Sequence, residues 1–206
     1  MAGLAAIHLT GESVVQLLRA RRDLMAEQGV LGPVPAGLDI SQVGTSRLTS
    51  AQPPNAGLTI CCYSVTRSEQ PVARPPAREK ADRVSIAVEL GYLVVPWASS
   101  ASEEHGVLAW AMLELSRYSL LDRSLLAGDA WERDETVQIV PESLASDDLF
   151  RIWSSLQLRY RLSATFRARV IRLSYGRPEV GPPVVATRFG FADADPLTES
   201  IGEGAQ

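Results

Sequence analysis

Three arginines pose the chemical question in this sequence. In LQLRYRLSATFRARVIRL, residues 156–173, Arg161, Arg167 and Arg169 alternate with Leu162, Ala164, Phe166, Ala168 and Val170, and Ser163 and Thr165 share the arginine side. Successive side chains of a strand point to opposite faces, so this stretch reads as a strand with one apolar face and one basic, hydroxylated face. A guanidinium fork grips phosphate or carboxylate. Such a face suits three uses: the wall of a catalytic pocket, a nucleic-acid surface, or a contact with another protein.

Little else in the chain completes a catalytic pocket. There are two histidines, His8 and His105. His105 follows Glu103 and Glu104 at a helix start, where acidic side chains suit the positive helix end, and no further metal ligands are spaced around it. Cys61 and Cys62 are adjacent. Neighbours in a strand point apart, so the pair suits neither a disulfide nor a zinc clamp and reads as two reduced, buried thiols. No G-x-S-x-G, P-loop or G-x-G-x-x-G occurs. The expectation is a protein without catalytic residues, bound metal or cofactor.

Charge argues against nucleic acid. The formal net charge is −4, and the segment from Phe191 to Gln206 holds Asp193, Asp195, Glu199 and Glu203 with no Lys or Arg, which leaves the remainder close to neutral. A nucleic-acid binder carries a basic excess, and a single-strand platform interleaves aromatics with its arginines. Neither is present. The opening MAGLAAIHL lacks a basic n-region and a long apolar core, and no apolar run approaches the roughly 18 residues of a membrane span. A cytosolic product with no membrane span is expected.

A first helix is expected with Thr10 as N-cap, Val14, Leu17 and Leu18 on its apolar face, and Arg19, Arg21 and Arg22 toward its end. Residues 1–28 form either such a helix or an arm. Residues 29–57 are rich in Gly, Pro, Ser and Thr and read as loop, with a short strand near 38–43. GLTICCYSVT (57–66) and RVSIAVELGYLVVPW (83–97) read as strands, the second with Val84, Ile86, Val88, Leu90, Tyr92 and Val94 on one face. Between them runs RSEQPVARPPAREKAD (67–82), a basic loop with three prolines, long for a hairpin. A helix over 102–118 buries Leu108, Met112 and Leu115 with Trp110 on a flank, and 119–128 reads as a helical turn ended by Gly128. ETVQIVP (135–141) is a strand. A helix capped by Ser146 follows, with Leu149, Ile152, Trp153 and Leu156 on one stripe. The arginine strand comes next, with a bulge near Val170–Ile171, then a last strand at 182–191 and a disordered acidic tail over 191–206. No linker splits this order, and a single α/β (α+β) domain over residues 1–190 is expected, with a mixed, mainly antiparallel sheet and helices on one face.

Two blocks carry a family resemblance. SIAVELGYLVVPWAS with SEEHGVLAWAMLELSRYSLLDRSLLAG, and more closely ETVQIVPESLASDDLFRIWSSLQLRYRLSATFRARVIRL, resemble the tail-terminator, or cap, proteins of phage-tail-like contractile injection systems of the Photorhabdus virulence cassette and antifeeding prophage type. The second block places Leu144, Asp147, Asp148, Leu149, Ile152 and Trp153 on a helix, and Tyr160, Arg161, Leu162 and Ser163 at the turn into a long strand. The resemblance covers roughly residues 55–175. Where the family carries Pro before the Tyr-Arg-Leu-Ser turn this chain has Arg159, and where the family carries an Asn-Pro-like segment after its first strand this chain has TRSEQPVARPP.

The resemblance implies a homo-hexameric ring with no catalysis that closes the inner tube and outer sheath of an injection particle, distal to the baseplate, with the tube and sheath proteins as partners. It implies assembly in the cytoplasm into a particle that can be released. Sheath subunits are linked by strand exchange, so a cap has use for a free sheet edge, and 182–191 is the candidate. The candidate interface residues are Arg67, Arg74 and Arg78 in and before the long loop, Arg161, Arg167 and Arg169 on the arginine strand, and Val184, Val185, Arg188 and Phe189 on the last one. The alternative is a small non-catalytic adaptor that binds a partner or cargo of the same machine.

Overall fold

Two long strands, β3 and β6, form the spine of the sheet. The computed structural model describes residues 3–30, 32–48, 57–69, 84–131 and 135–175. In chain order these form α1 (Ala6–Glu27), β1 (Ile40–Val43), α2 (Thr45–Leu48), β2 (Gly57–Arg67), β3 (Val84–Trp97), α3 (Ala101–Arg117), β4 (Leu120–Leu121), β5 (Val137–Glu142), α4 (Ser146–Ser155) and β6 (Ala164–Tyr175). They build one six-stranded sheet in the order β1-β2-β3-β6-β5-β4. β1 runs parallel to β2 and every other pair is antiparallel. The fold is a single mixed, mainly antiparallel α+β domain, as expected from the sequence.

The alternation along β3 splits the interior into two cores. Val88, Leu90, Tyr92 and Val94 join Leu58, Ile60, Phe166, Ala168 and Ile171 under α1 and α3. Leu93, Val95 and Trp97 point the other way and meet Cys61, Leu48 and Trp153. The two long helices share one face as expected, but α2 and α4 cover part of the opposite face. The reason is chemical: β3 is apolar on both sides near its end, and a strand buried on both faces needs a cover on each. Ile86, on the expected apolar face, is 45% exposed.

Helix α1 begins earlier than its Thr10 signal suggests. It is a layer of the main core, with Val15 and Leu18 1% and 0% exposed. Thr10 lies inside it, and its hydroxyl donates to the Ala6 carbonyl at 2.7 Å instead of capping the helix. Arg19 donates to the Ile40 carbonyl at 2.8 Å and Arg22 to the Leu38 carbonyl, so these arginines hold the loop that leads into β1. In α3 the Ser100 hydroxyl accepts from the Glu103 N–H at 3.2 Å, a capping arrangement. Trp110 is buried against Met25 and Met112 is 42% exposed, which reverses the expected order of burial. α1 lies beside α3 and claims the Trp110 flank. Leu120–Leu121, expected as part of a helical turn, pairs instead with Gln138 and Val137 as β4.

The expected bulge in β6 is present. Val88 pairs with Ile171 and Leu90 with Ala168, so β6 carries one extra residue between those two pairs. A second irregularity lies at Tyr63 in β2, between Cys62 and Ser64. Gly57 (φ 151°) sits where a Cβ would stand 2.8 Å from the Asp39 carbonyl oxygen, so only glycine lets β1 approach β2 here. Gln157, after the last turn of α4, is the one non-glycine residue with positive φ (57°) among the described residues. Its N–H donates to Ser154 at 2.9 Å and that of Leu158 to Trp153 at 3.2 Å, which satisfies carbonyls left over at the helix end.

Candidate functional site

The alternation of the arginine strand is realised. Phe166 and Ala168 are 2% and 0% exposed beneath the long helices, and Thr165, Arg167 and Arg169 occupy the opposite face. The basic face is not free, however. Glu89 from β3 and Glu142 from β5 flank it. Arg167 donates to Glu89 at 3.3 Å and to Glu142, and Arg169 lies 3.7 Å from Glu89. Both carboxylates are only 12% exposed, and Arg167 is 30% exposed. Two arginines against two glutamates make a charge-balanced cluster. The hydrogen bond to Glu142 first, opposed by burial, holds the Arg167 guanidinium more firmly charged than usual. The Arg169 Nε is buried without a hydrogen-bond partner.

Tyr63 closes the cluster from two strands away. Its hydroxyl donates to Glu142 at 2.9 Å, and the ring passes over Gly91, where a Cβ would stand 2.8 Å from the ring. Burial first, and the Glu142 bond second, push the phenol up to about 12. Ser68 donates to Glu89 at 3.2 Å, and the Thr165 hydroxyl to the Glu142 carbonyl at 2.8 Å. Four strands are thus tied through one polar network.

The motif after α4 builds the small core beside it. Trp153 is 1% exposed and donates its Nε1–H to the Ser163 hydroxyl at 3.2 Å. Tyr160 folds back so that its ring lies 4.8 Å from Phe150 and 6.5 Å from Trp153. The Arg161 guanidinium stacks 4.5 Å above Trp97, whose Nε1–H donates to Thr59 at 2.9 Å. The Tyr-Arg-Leu-Ser turn therefore pins α4 to the sheet.

Of the candidate interface residues, Arg167 and Arg169 come together with partners the sequence reading missed, Glu89 and Glu142. Arg161 stands apart on Trp97, and Arg67 is exposed at the end of β2. Arg74, Arg78, Val184, Val185, Arg188 and Phe189 lie outside the described residues, as do the expected last strand and the acidic tail. The signal for Glu89 was available: it is the lone carboxylate inside an otherwise apolar strand. Among the described residues no three His, Cys, Asp or Glu side chains group to hold a metal ion. Burial pushes the Cys61 thiol up to about 11, and Cys62 is raised chiefly by burial as well, so neither has the lowered pKa of a reactive cysteine. No described helix is long and apolar enough to cross a membrane.

The two arginines and two glutamates thus form a charge-balanced cluster that braces the sheet. The structure is similar to the sheath/tube terminator of PVC, an extracellular contractile injection system, in its extended state, with a TM-score of 0.51 at 18% identity over 88% of this chain. This chain spans 65% of that terminator chain. The tube-terminating cap of the anti-feeding prophage is similar at a TM-score of 0.49 and 14% identity, over 82% of this chain and 60% of the cap. No curated protein matches the chain significantly. The profile of the Pvc16 N-terminal domain family matches residues 11–187, nearly the whole sequence, and the chain belongs to that family.

Proposed function

We propose that this protein is a terminator of a contractile injection particle, a hexameric ring that closes the inner tube and its sheath. The observation that carries this reading is the family match across residues 11–187. The physical need is clear: tube and sheath grow by head-to-tail contacts, which have no inherent end, and a closed ring that offers one binding face stops them. A domain whose charged residues brace its own sheet suits a role without turnover. We take residues 1–190 as the cap domain and 191–206 as an acidic extension. The tube and sheath proteins are the proposed partners, with Arg67 and Arg161 as contacts on the described surface, and Arg74, Arg78, Val184, Val185, Arg188 and Phe189 as contacts from the remainder. Assembly takes place in the cytoplasm, within a particle that can be released.

The test is the native mass of the purified protein, alone and with short tube segments, followed by imaging of particles from a deletion strain. A six-fold ring, or one that forms on tube ends, together with overlong or unstable particles, supports the terminator. A monomer that ignores tube ends, together with normal particles, turns the reading to an adaptor. Truncation after residue 181 should abolish sheath capping, and normal particles from that strain would remove 182–191 as the contact edge.

A further inference from the structure

We infer that neighbouring copies of this chain meet head to tail, the outer surface of the α1/α3 layer of one copy seated on the α4 surface of the next. This rests on the ring reading and names the two surfaces that build it. Each surface has an exposed apolar centre. On the helix layer Leu24 and Leu113 are 40% and 71% exposed; on the α4 side Phe150 and Tyr160 are 48% and 46% exposed, their rings in tilted contact. Burial of such side chains is the main driving force for association, and clustered aromatics serve as anchors.

Charge says what covers them. α1 lies antiparallel to α3, because Arg21 pairs with Glu114 at 2.7 Å and Trp110 donates to Met25 at 3.3 Å. Glu27 at the end of α1 lies toward the start of α3, whose first turn carries Glu103 and Glu104, while Asp23 is already paired with Arg22 at 2.6 Å and Arg117 lies at the far end of α3. The α4 surface has the same polarity along its length. Asp147 and Asp148 are in its first turn, and Arg151 follows with Arg159 beside Tyr160. The internal Arg151–Asp148 pair is long, 3.9 Å, with side chains 82% and 56% exposed, so both charges remain open to a partner. Acidic end meets basic end at two places, which selects one orientation. The surfaces lie on opposite sides of the sheet, since α3 packs on the core of Leu90 and Phe166 and α4 on that of Leu93 and Val95. A contact between two different surfaces is heterologous, and such contacts close into a ring when the rotation between neighbours closes.

The experiment uses the full chain carrying Leu113→Asp or Phe150→Asp, both at exposed side chains, with circular dichroism melting to confirm folding. Against a ring-forming wild type, each variant alone should lose the ring and run as a monomer, a weakening of roughly 30-fold or more per contact as for an interface anchor. Mixed in equal amounts the two should form a dimer, because one pair of intact surfaces remains. Monomers in the mixture, or rings from either variant alone, overturn the pairing of these surfaces while leaving the ring intact as a reading. A wild type that stays monomeric alone and on tube ends overturns the ring reading and this inference with it.

Discussion

Gly91 is the position where one methyl group should report on the whole polar network. A Cβ there would stand 2.3 Å from the Ser64 hydroxyl and 2.8 and 3.0 Å from the Cζ and Cε1 atoms of Tyr63. The serine can rotate away. The ring cannot, because its hydroxyl is held by Glu142 at 2.9 Å. Gly91→Ala should therefore lift the ring and break that bond. Overpacking costs about 1–3 kcal/mol and loss of a hydrogen bond to a charged acceptor about 1.5–3 kcal/mol. Alanine returns about 0.5–1 kcal/mol by restricting the unfolded chain. The ring's movement relieves part of the overpacking, so a net loss of about 2 kcal/mol is expected. In a domain of this size that lowers Tm by roughly 4–8 °C. Urea unfolding gives the value directly. Repeated in a Tyr63→Ala background, Gly91→Ala should be nearly neutral, a coupling of at least about 1 kcal/mol. A cost that is the same with and without Tyr63, or a stabilising Gly91→Ala, would refute the account of the network.

Three further predictions follow from neighbouring features. Arg167→Met leaves Glu89 and Glu142 without their main partner and should cost about 2 kcal/mol, less than a fully buried pair because the site is partly solvated; adding Glu89→Gln and Glu142→Gln should restore at least half of that loss, whereas simply additive losses in urea unfolding would contradict the internal pairing. Cys61 and Tyr63 are both raised, from 9.0 to about 11 and from 10.0 to about 12, so the folded state resists their ionisation; stability should be complete below about pH 9 and decline steadily toward pH 12, and a flat profile across that window would show that these groups are not buried as described. Gln157→Gly relieves a positive φ of 57° at the end of α4 and should raise stability by about 0.5–1 kcal/mol in thermal melts, while a loss would mean that the Gln157 side chain is needed there.

Reading the sequence located most of the elements and one of the two cores. Strands β2, β3 and β5 show runs of apolar and β-branched residues, α4 shows its acidic first turn, and β6 alternates as far as Val170, so local periodicity was enough to find them and to point Phe166 and Ala168 inward. The bulge near Val170 was legible for the same reason, as a break in period. The family resemblance was equally a property of local strings, since Trp153, Tyr160, Arg161 and Ser163 fall close together along the chain.

What the arginine face does was decided only by tertiary structure. Arg167 meets Glu89 from 78 residues away and Glu142 from 25 away, and no local pattern announces such pairs. Local spacing made Trp110 a flank residue and Met112 a core residue; α1, packing beside α3, exchanged their roles. Thr10 has the chemistry of a helix cap, yet burial of Ala6 against the core extended the helix past it. Sequence alone determines which face of a strand or helix is apolar, because that depends on neighbours a few residues apart. Which charges meet across the sheet, and which apolar flank a second helix covers, depends on residues brought together only when the strands pair, and that pairing turned an apparently basic strand into a neutral brace.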